Sequence, residues 1–201
     1  MSIPEHRLST EVVEDEFIPP DERDRYLLID YEQGPIAIND NSAGVAYQPW
    51  TMTYNPANGQ FTLTPETTGS PVVVLTVMNV SQLSFAFDQN SHVTIAYTAN
   101  GLPYLYWYDS VAGDWVTDLL AEGVTSPTLT MDDKRITQSN SNDVVLWYTK
   151  QEPDLTWRCY TREQRDRYTV EYPMGPCEKW IYKCGMHEGL RLQVTTRAGI
   201  L

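Results

Sequence analysis

The segment YLYWYD carries the side chains best suited to chemistry at a surface. Tyr104, Tyr106 and Tyr108 alternate there with Leu105 and Trp107. Side chains of a β-strand point to opposite faces in turn, so the three tyrosines are expected to share one face. Such a row of rings can stack on the apolar face of a sugar whose hydroxyls bond to nearby Asp and Asn. Because all-β proteins use Tyr and Trp heavily for packing, the pattern favours a core or a subunit interface.

A charged segment, EQRDRYTVEY (163–172), supplies a second set of candidate binding residues. Arg165, Arg167 and Glu171 share one face if this segment is a strand. Alternating charge on a strand discourages edge-to-edge aggregation and can form specific salt bridges to another subunit. We therefore predict an interface that residues 104–108 build and whose specificity the charged strand sets.

Groups for catalysis do not occur at the spacings that known reactions need. Asp132 and Asp133 come closest to a paired acid and base, but Lys134 and Arg135 follow directly. That order favours a turn with local charge compensation. No His lies beside a Ser or Cys in a nucleophile elbow, and no Gly-rich phosphate loop occurs. The sequence predicts a protein that is not an enzyme and uses no cofactor.

Residues 109–115, DSVAGDW, loosely resemble the Asp-box turn of sialidase propellers, although their spacing departs from that motif. A sialidase also needs several Arg side chains converging on a carboxylate and a Tyr–Glu nucleophile. Glu171 and Tyr172 follow Arg165 and Arg167 closely, but neighbours on a strand point to opposite faces. The set does not converge, so we predict no glycosidase.

Cysteine usage bears on redox state and on metal binding. The three Cys, at 159, 177 and 184, are an odd number and include no CxxC pair. This usage favours reduced thiols over a disulfide framework. Cys177, Cys184 and His187 lie near one another in sequence, but a fourth ligand at finger-like spacing is missing. We predict no metal site.

The charge of the chain limits its partners. The formal net charge is −13, and residues 1–40 alone hold eleven acids against three Arg. Nucleic acids and anionic membranes both require clustered positive charge, so neither is expected as the main ligand. No run of about 18 apolar residues occurs, which predicts no membrane insertion, and the start lacks the apolar core of a signal peptide. We expect the chain to fold in the cytosol.

Turn residues divide the chain into strands. Residues 1–25 are acidic and contain Pro19-Pro20, which predicts an extended arm, and residues 26–201 read as a single β domain. The segment 26–38 is expected to be the first strand. A hairpin is expected at 45–54 and 60–66 around the turn NPANG. The apolar run PVVVLTVMNV (71–80) suggests a central strand buried on both faces.

The rest of the chain repeats one pattern twice. SFAFD, HVTIAYT, YLYWYD and WVTDLLAEG predict a four-strand meander, and the segments 128–135, 143–150, 155–163 and 167–173 predict a second. KWIYKCGMHEGLRLQV predicts one further hairpin. No segment has sustained helical periodicity with caps. The predicted class is all-β, with tandem antiparallel four-strand meanders in a propeller-like or sandwich arrangement.

The residues and the order of several segments resemble those of small virion structural proteins of tailed bacteriophages. The resemblance spans residues 45–195, and its most specific part is QRDRY followed by GM and RLQ. The segments that carry it are FAFDQNSHVTIAYTANGLPYLYWYD, SPTLTMDDKR, NDVVLWYT, TREQRDRYTVEYP and IYKCGMHEGLRLQV.

The resemblance implies assembly. It leads us to expect a non-enzymatic component of a phage virion, made in the host cytoplasm and incorporated in several copies into the tail or the neck and adaptor region. Its partners would be other virion proteins and further copies of the same chain. The alternative is a receptor- or polysaccharide-binding module of the tail that uses the aromatic strand face.

Overall fold

The computed structural model describes part of the chain, and every described element is a strand or a turn. The predicted all-β class is therefore confirmed. The described residues are 36–38, 48–88, 90–132, 143–163, 169–171, 175–179, 181, 183–187 and 191–195. The predicted arm, residues 1–25, lies outside them.

Three antiparallel four-stranded sheets and a hairpin follow one another along the chain, and in each sheet the strands pair in sequence order. The first sheet contains β1 (Ile36–Ile38), β2 (Pro49–Asn55), β3 (Gln60–Pro65) and β4 (Val72–Thr76). The middle sheet contains β5 (Val80–Phe87), β6 (Val93–Ala99), β7 (Leu102–Asp109) and β8 (Asp114–Leu119). The third sheet contains β9 (Val124–Asp132), β10 (Asp143–Gln151), β11 (Trp157–Glu163) and β12 (Thr169–Glu171). The hairpin is β13 (Lys183–His187) with β14 (Arg191–Thr195).

Both predicted meanders are confirmed, as the middle and third sheets, and so are the hairpin 45–66 and the final hairpin. The segments before β5 form a further meander of the same kind, the first sheet. Sequence reasoning found its hairpin but did not group its four strands, because no similarity of wording links them to the later meanders.

The middle sheet separates two cores. One core joins Met52 and Phe61 of the first sheet to Ile95 and Tyr97 of β6, and the ring centroids of Phe61 and Tyr97 lie 5.6 Å apart. The other core joins residues of the opposite face of the middle sheet to the third sheet: Ala96, Leu105, Trp107, Leu129, Val144 and Leu146. All seven residues of β6 are consequently buried.

Adjacent sheets approach one another along their first strands. β1 contacts β5, β5 contacts β9, and β13 lies against β9. The fourth strands, β4, β8 and β12, form the opposite edges of their sheets. Sheets that meet at their first strands and expose their fourth are arranged like successive blades of a propeller. The predicted tandem antiparallel meanders, in a propeller-like or sandwich arrangement, are thus present over the described residues.

The apolar run 71–80 does not form the central strand that we predicted. It is divided between the edge strand β4 and the start of β5, with Asn79 at φ 59° between them. Val72 and Val73 are 53% and 48% exposed, so the prediction of burial on both faces is wrong. In a meander the fourth strand has one neighbour only, and an apolar run of strand length does not reveal which position it occupies.

The β2–β3 and β7–β8 hairpins have turns of the same type, which gives the segment DSVAG a structural role. Gly59 N donates to Asn55 O at 2.8 Å, and Gly113 N donates to Asp109 O at 2.7 Å. The side-chain Oδ1 of each first residue also accepts from the backbone N–H two residues on, at 3.0 Å for Asn55 and 2.9 Å for Asp109. Both glycines have φ 71°. DSVAG is therefore a hairpin turn of the same type as NPANG.

The two turns provide a matched pair of glycine substitutions. A Cβ at Gly59 would lie 2.7 Å from the carbonyl oxygen of Val77, whereas a Cβ at Gly113 would meet nothing within 4 Å. Gly113→Ala should lower the free energy of unfolding by about 1 kcal/mol, because the positive φ disfavours a Cβ. Gly59→Ala should cost about 1–3 kcal/mol more, because the backbone must move. Chemical denaturation of both variants measures the difference, and equal losses would contradict it.

Candidate functional site

The aromatic strand β7 has the two faces that the sequence predicts. Leu105 and Trp107 are buried toward the third sheet, whereas Tyr104, Tyr106 and Tyr108 are half-buried on the other face. Tyr104 and Tyr106 pack against the core beneath the first sheet. The tyrosine row therefore begins in a core and runs toward the end of the sheet.

Trp115 and His92 complete an aromatic cluster at that end, together with Tyr106 and Tyr108. The rings of Tyr106 and Trp115 stack with centroids 5.0 Å apart and an interplanar angle of 9°. His92 lies 4.1 Å from the ring of Tyr108, and Trp115 meets Tyr108 edge to face at 5.4 Å. Sequence reasoning missed Trp115, although the turn DSVAG fixes a register that places it opposite Tyr108.

Trp115 is exposed because the first sheet does not extend over β8. Its side chain is 38% exposed, and Thr117 and Leu119, which share its face, are exposed as well. On the other face of β8, Val116 packs against the core shared with the third sheet. The outer half of the middle sheet is thus covered on one face and open on the other.

Asp88 fixes the imidazole of His92. Its Oδ2 lies 3.1 Å from His92 Nδ1, while its Oδ1 accepts the backbone N–H groups of Asn90 and His92, both at 2.8 Å. The carboxylate is held by three contacts within one tight turn, and it holds the ring beside Tyr108 in return. The aromatic cluster therefore includes an oriented imidazole.

Trp107 is buried and makes contacts within the chain. Its Nε1 donates to Asp118 Oδ2 at 3.2 Å, and Arg162 Nη2 of the third sheet donates to the same oxygen at 2.5 Å. Arg162 and Asp118 are both largely buried. The indole is covered by the third sheet, so it offers no surface to another chain, and its contacts join two sheets.

The remaining predicted interface residues lie in and beside β12. Arg165 and Arg167 fall outside the described residues. Glu171 ends β12 and is exposed, and its Oε1 accepts from Arg158 Nη1 of β11 at 3.2 Å. The structure thus pairs Glu171 within the third sheet, whereas the aromatic row belongs to the middle sheet.

The two ion pairs allow a matched test. Asp118→Ala should lower the free energy of unfolding by about 3 kcal/mol, because it removes the carboxylate that accepts from a buried guanidinium and from the Trp107 N–H. The Nε of Arg162 already lacks a hydrogen bond within the described residues. Glu171→Ala removes an exposed pair and should cost less than about 1 kcal/mol. Urea denaturation distinguishes the two, and a loss at Asp118 as small as that at Glu171 would refute the role of the buried pair.

Burial raises the pKa of Tyr106 in the row and of Tyr97 on the neighbouring strand β6. The pKa of Tyr97 is raised to about 12, first by burial and then by Tyr104 and Tyr106. The pKa of Tyr106 is raised by burial and by the carboxylate of Asp114. Both hydroxyls therefore remain protonated at alkaline pH values at which an exposed tyrosine ionises.

The raised pKa of Tyr97 makes stability depend on alkaline pH. The unfolded chain releases this proton near pH 10 and the folded chain near pH 12, so the free energy of unfolding should be unaffected below pH 10 and fall between the two values. Tyr97→Phe should remove part of that fall. Denaturant titrations across this range test it, and identical pH profiles for both proteins would contradict it.

The outer strand of the first sheet presents an apolar surface, which we call the β4 patch. It comprises Val72 and Val73, which pair with Leu63 and Thr62 and therefore point to opposite faces of the edge strand, and Met78 just after β4; each is about half exposed. No residue between Glu66 and Asp88 is charged. A β-bulge at Val74 shifts the register between β3 and β4. Because the bulge interrupts the row of backbone N–H and C=O groups along this edge, the exposed side chains dominate the surface.

The described residues include two of the three cysteines and allow a search for metal-binding groups. Cys159 and Cys177 are buried and form no disulfide, and burial followed by the neighbouring Cys177 raises the pKa of the Cys159 thiol to about 12. No three His, Cys, Asp or Glu side chains of the described part lie close enough to hold a metal ion. That part also has no helix long and apolar enough to span a membrane.

Comparisons with known proteins give structural likenesses but no family or curated relative. No protein-family model matches the sequence, and no curated protein matches it. Among solved structures, a fucose lectin from Kordia zhangzhouensis in complex with methyl-fucoside is similar at a TM-score of 0.43 and 13% identity, over 69% of this chain and 99% of the lectin. A likeness at this level does not bear on the ligand of the present chain.

Proposed function

We propose that this protein is a non-enzymatic structural component of a bacteriophage virion, in the tail or the neck and adaptor region. It acts through contacts with other virion proteins and with further copies of itself. The sequence resemblance described above supports the virion setting, and the surface of the first sheet supports assembly.

The observation that carries the proposal is the β4 patch. Val72 and Val73 expose about half of their side chains at the edge of a sheet, where natural proteins usually place charges. The chain carries a net charge of −13, yet this whole segment has none. A charge-free apolar surface on a strongly acidic protein allows copies to meet without repulsion and buries area from water.

A single substitution that introduces a positive charge into the β4 patch tests assembly through this surface. Val73→Lys places an ammonium in the β4 patch, and we expect it to weaken self-association at least tenfold, or about 1.4 kcal/mol. Val111→Lys is the control, because Val111 is 96% exposed in the β7–β8 turn of the middle sheet, whereas the β4 patch belongs to the first sheet. Light scattering over a concentration series gives the mass of each protein.

The wild type and Val111→Lys should form the same defined oligomer, and Val73→Lys should dissociate into monomers that still unfold in one cooperative transition. A wild-type monomer at every concentration would overturn the homo-oligomer. Wild-type mass in Val73→Lys would place the interface elsewhere.

Carbohydrate recognition is the second candidate function, and one observation favours it. Trp115 is exposed and stacked on Tyr106, which makes the flat platform that sugar-binding surfaces use. This surface belongs to the middle sheet, whereas the β4 patch belongs to the first, so the two functions can be tested separately.

A further inference from the structure

We infer that the aromatic cluster is a binding site for an uncharged pyranose, with Trp115 as the stacking platform. The inference rests on the second candidate function and is independent of assembly through the β4 patch. It assigns roles to Trp115, His92 and Asp88, which the sequence did not single out.

The platform is fixed before any ligand arrives. Tyr106 stacks against the indole of Trp115 with an interplanar angle of 9°, and Tyr108 contacts it edge to face. The β7–β8 register holds Tyr108 directly opposite Trp115. A ring held by two neighbours loses little conformational freedom on binding, so more of the stacking energy appears as affinity. The C–H face of a pyranose is the natural partner of such a ring.

An oriented acceptor lies beside the platform. When His92 donates its Nδ1–H to Asp88, its Nε2 becomes a hydrogen-bond acceptor. The imidazole is partly exposed and packs against Tyr108 at 4.1 Å. A sugar lying on Trp115 would find an acceptor for one hydroxyl at the imidazole and further groups at the tyrosine hydroxyls. One ring platform with a few placed polar groups suits a sugar better than an apolar peptide.

Charge selects the class of sugar. The carboxylate of Asp114 acts on the Tyr106 hydroxyl, Asp109 accepts two backbone N–H groups in the adjoining turn, and Asp88 is bonded to the imidazole. The described groups of the cluster include no Lys or Arg. Carboxylates around an exposed platform repel sialic and uronic acids, so a neutral pyranose is the ligand class that fits.

The test is a glycan array carrying neutral and anionic glycans, probed with labelled full-length protein. We expect neutral pyranosides to bind, and glycans ending in sialic or uronic acid to give at most a tenth of that binding signal. Trp115→Ala should reduce the signal on neutral pyranosides at least tenfold. Leu119→Ala is the matched control, since Leu119 is an exposed apolar residue on the same face of the same strand, and it should bind like wild type. Trp115→Phe keeps a ring and should retain part of the signal.

Each other outcome counts against the site. No neutral glycan above background, a preference for anionic glycans, or full binding by Trp115→Ala would overturn the inference. Should Trp115→Ala fail to fold, as judged by its unfolding midpoint, the comparison of Trp115→Phe with Leu119→Ala decides. Light scattering on the same proteins separates this result from assembly, because Trp115→Ala should keep the wild-type mass and Val73→Lys should keep glycan binding.

Discussion

Burial of β6 on both faces is the constraint on which the rest of the structure depends. Every residue of β6 is buried, so neither face of this inner strand of the middle sheet meets water. A meander of this kind is unstable alone and requires a neighbouring sheet on each side. The first and third sheets supply that cover, and their own outer faces and edges then become the surface of the molecule.

Burial in the middle sheet decreases from the second strand, β6, to the fourth, β8. Because the sheets meet along their first strands, β5 and β6 are enclosed while one face of β8 is open. The same radial arrangement leaves β4 at an edge. Both candidate surfaces are therefore consequences of how the sheets stack: the outer strands are where apolar residues can remain exposed, and Val73 and Trp115 lie on such strands.

The sequence predicted periodic features well and positional features poorly. The alternation in β7, the two repeated meanders and the hairpin turns follow from local rules, and the structure has them. The exposure of Val72 and Val73 depends on strand order, which an apolar run does not encode. Trp115 was missed because it belongs to a site only through its cross-strand partner Tyr108. Trp107, grouped with the tyrosines by sequence, is separated from them by the pleat and serves the opposite core.

Charge placement indicates that the two surfaces serve different ligands. The β4 patch lies in a stretch without a single charge, which favours contact with another apolar protein surface. The aromatic cluster is flanked by Asp88, Asp109 and Asp114, and an apolar protein surface docking there would have to desolvate carboxylates without compensating them. A sugar instead brings hydroxyl donors and can leave the carboxylates hydrated. One chain can thus hold an assembly edge and a recognition face without competition, because the first sheet carries one and the middle sheet the other.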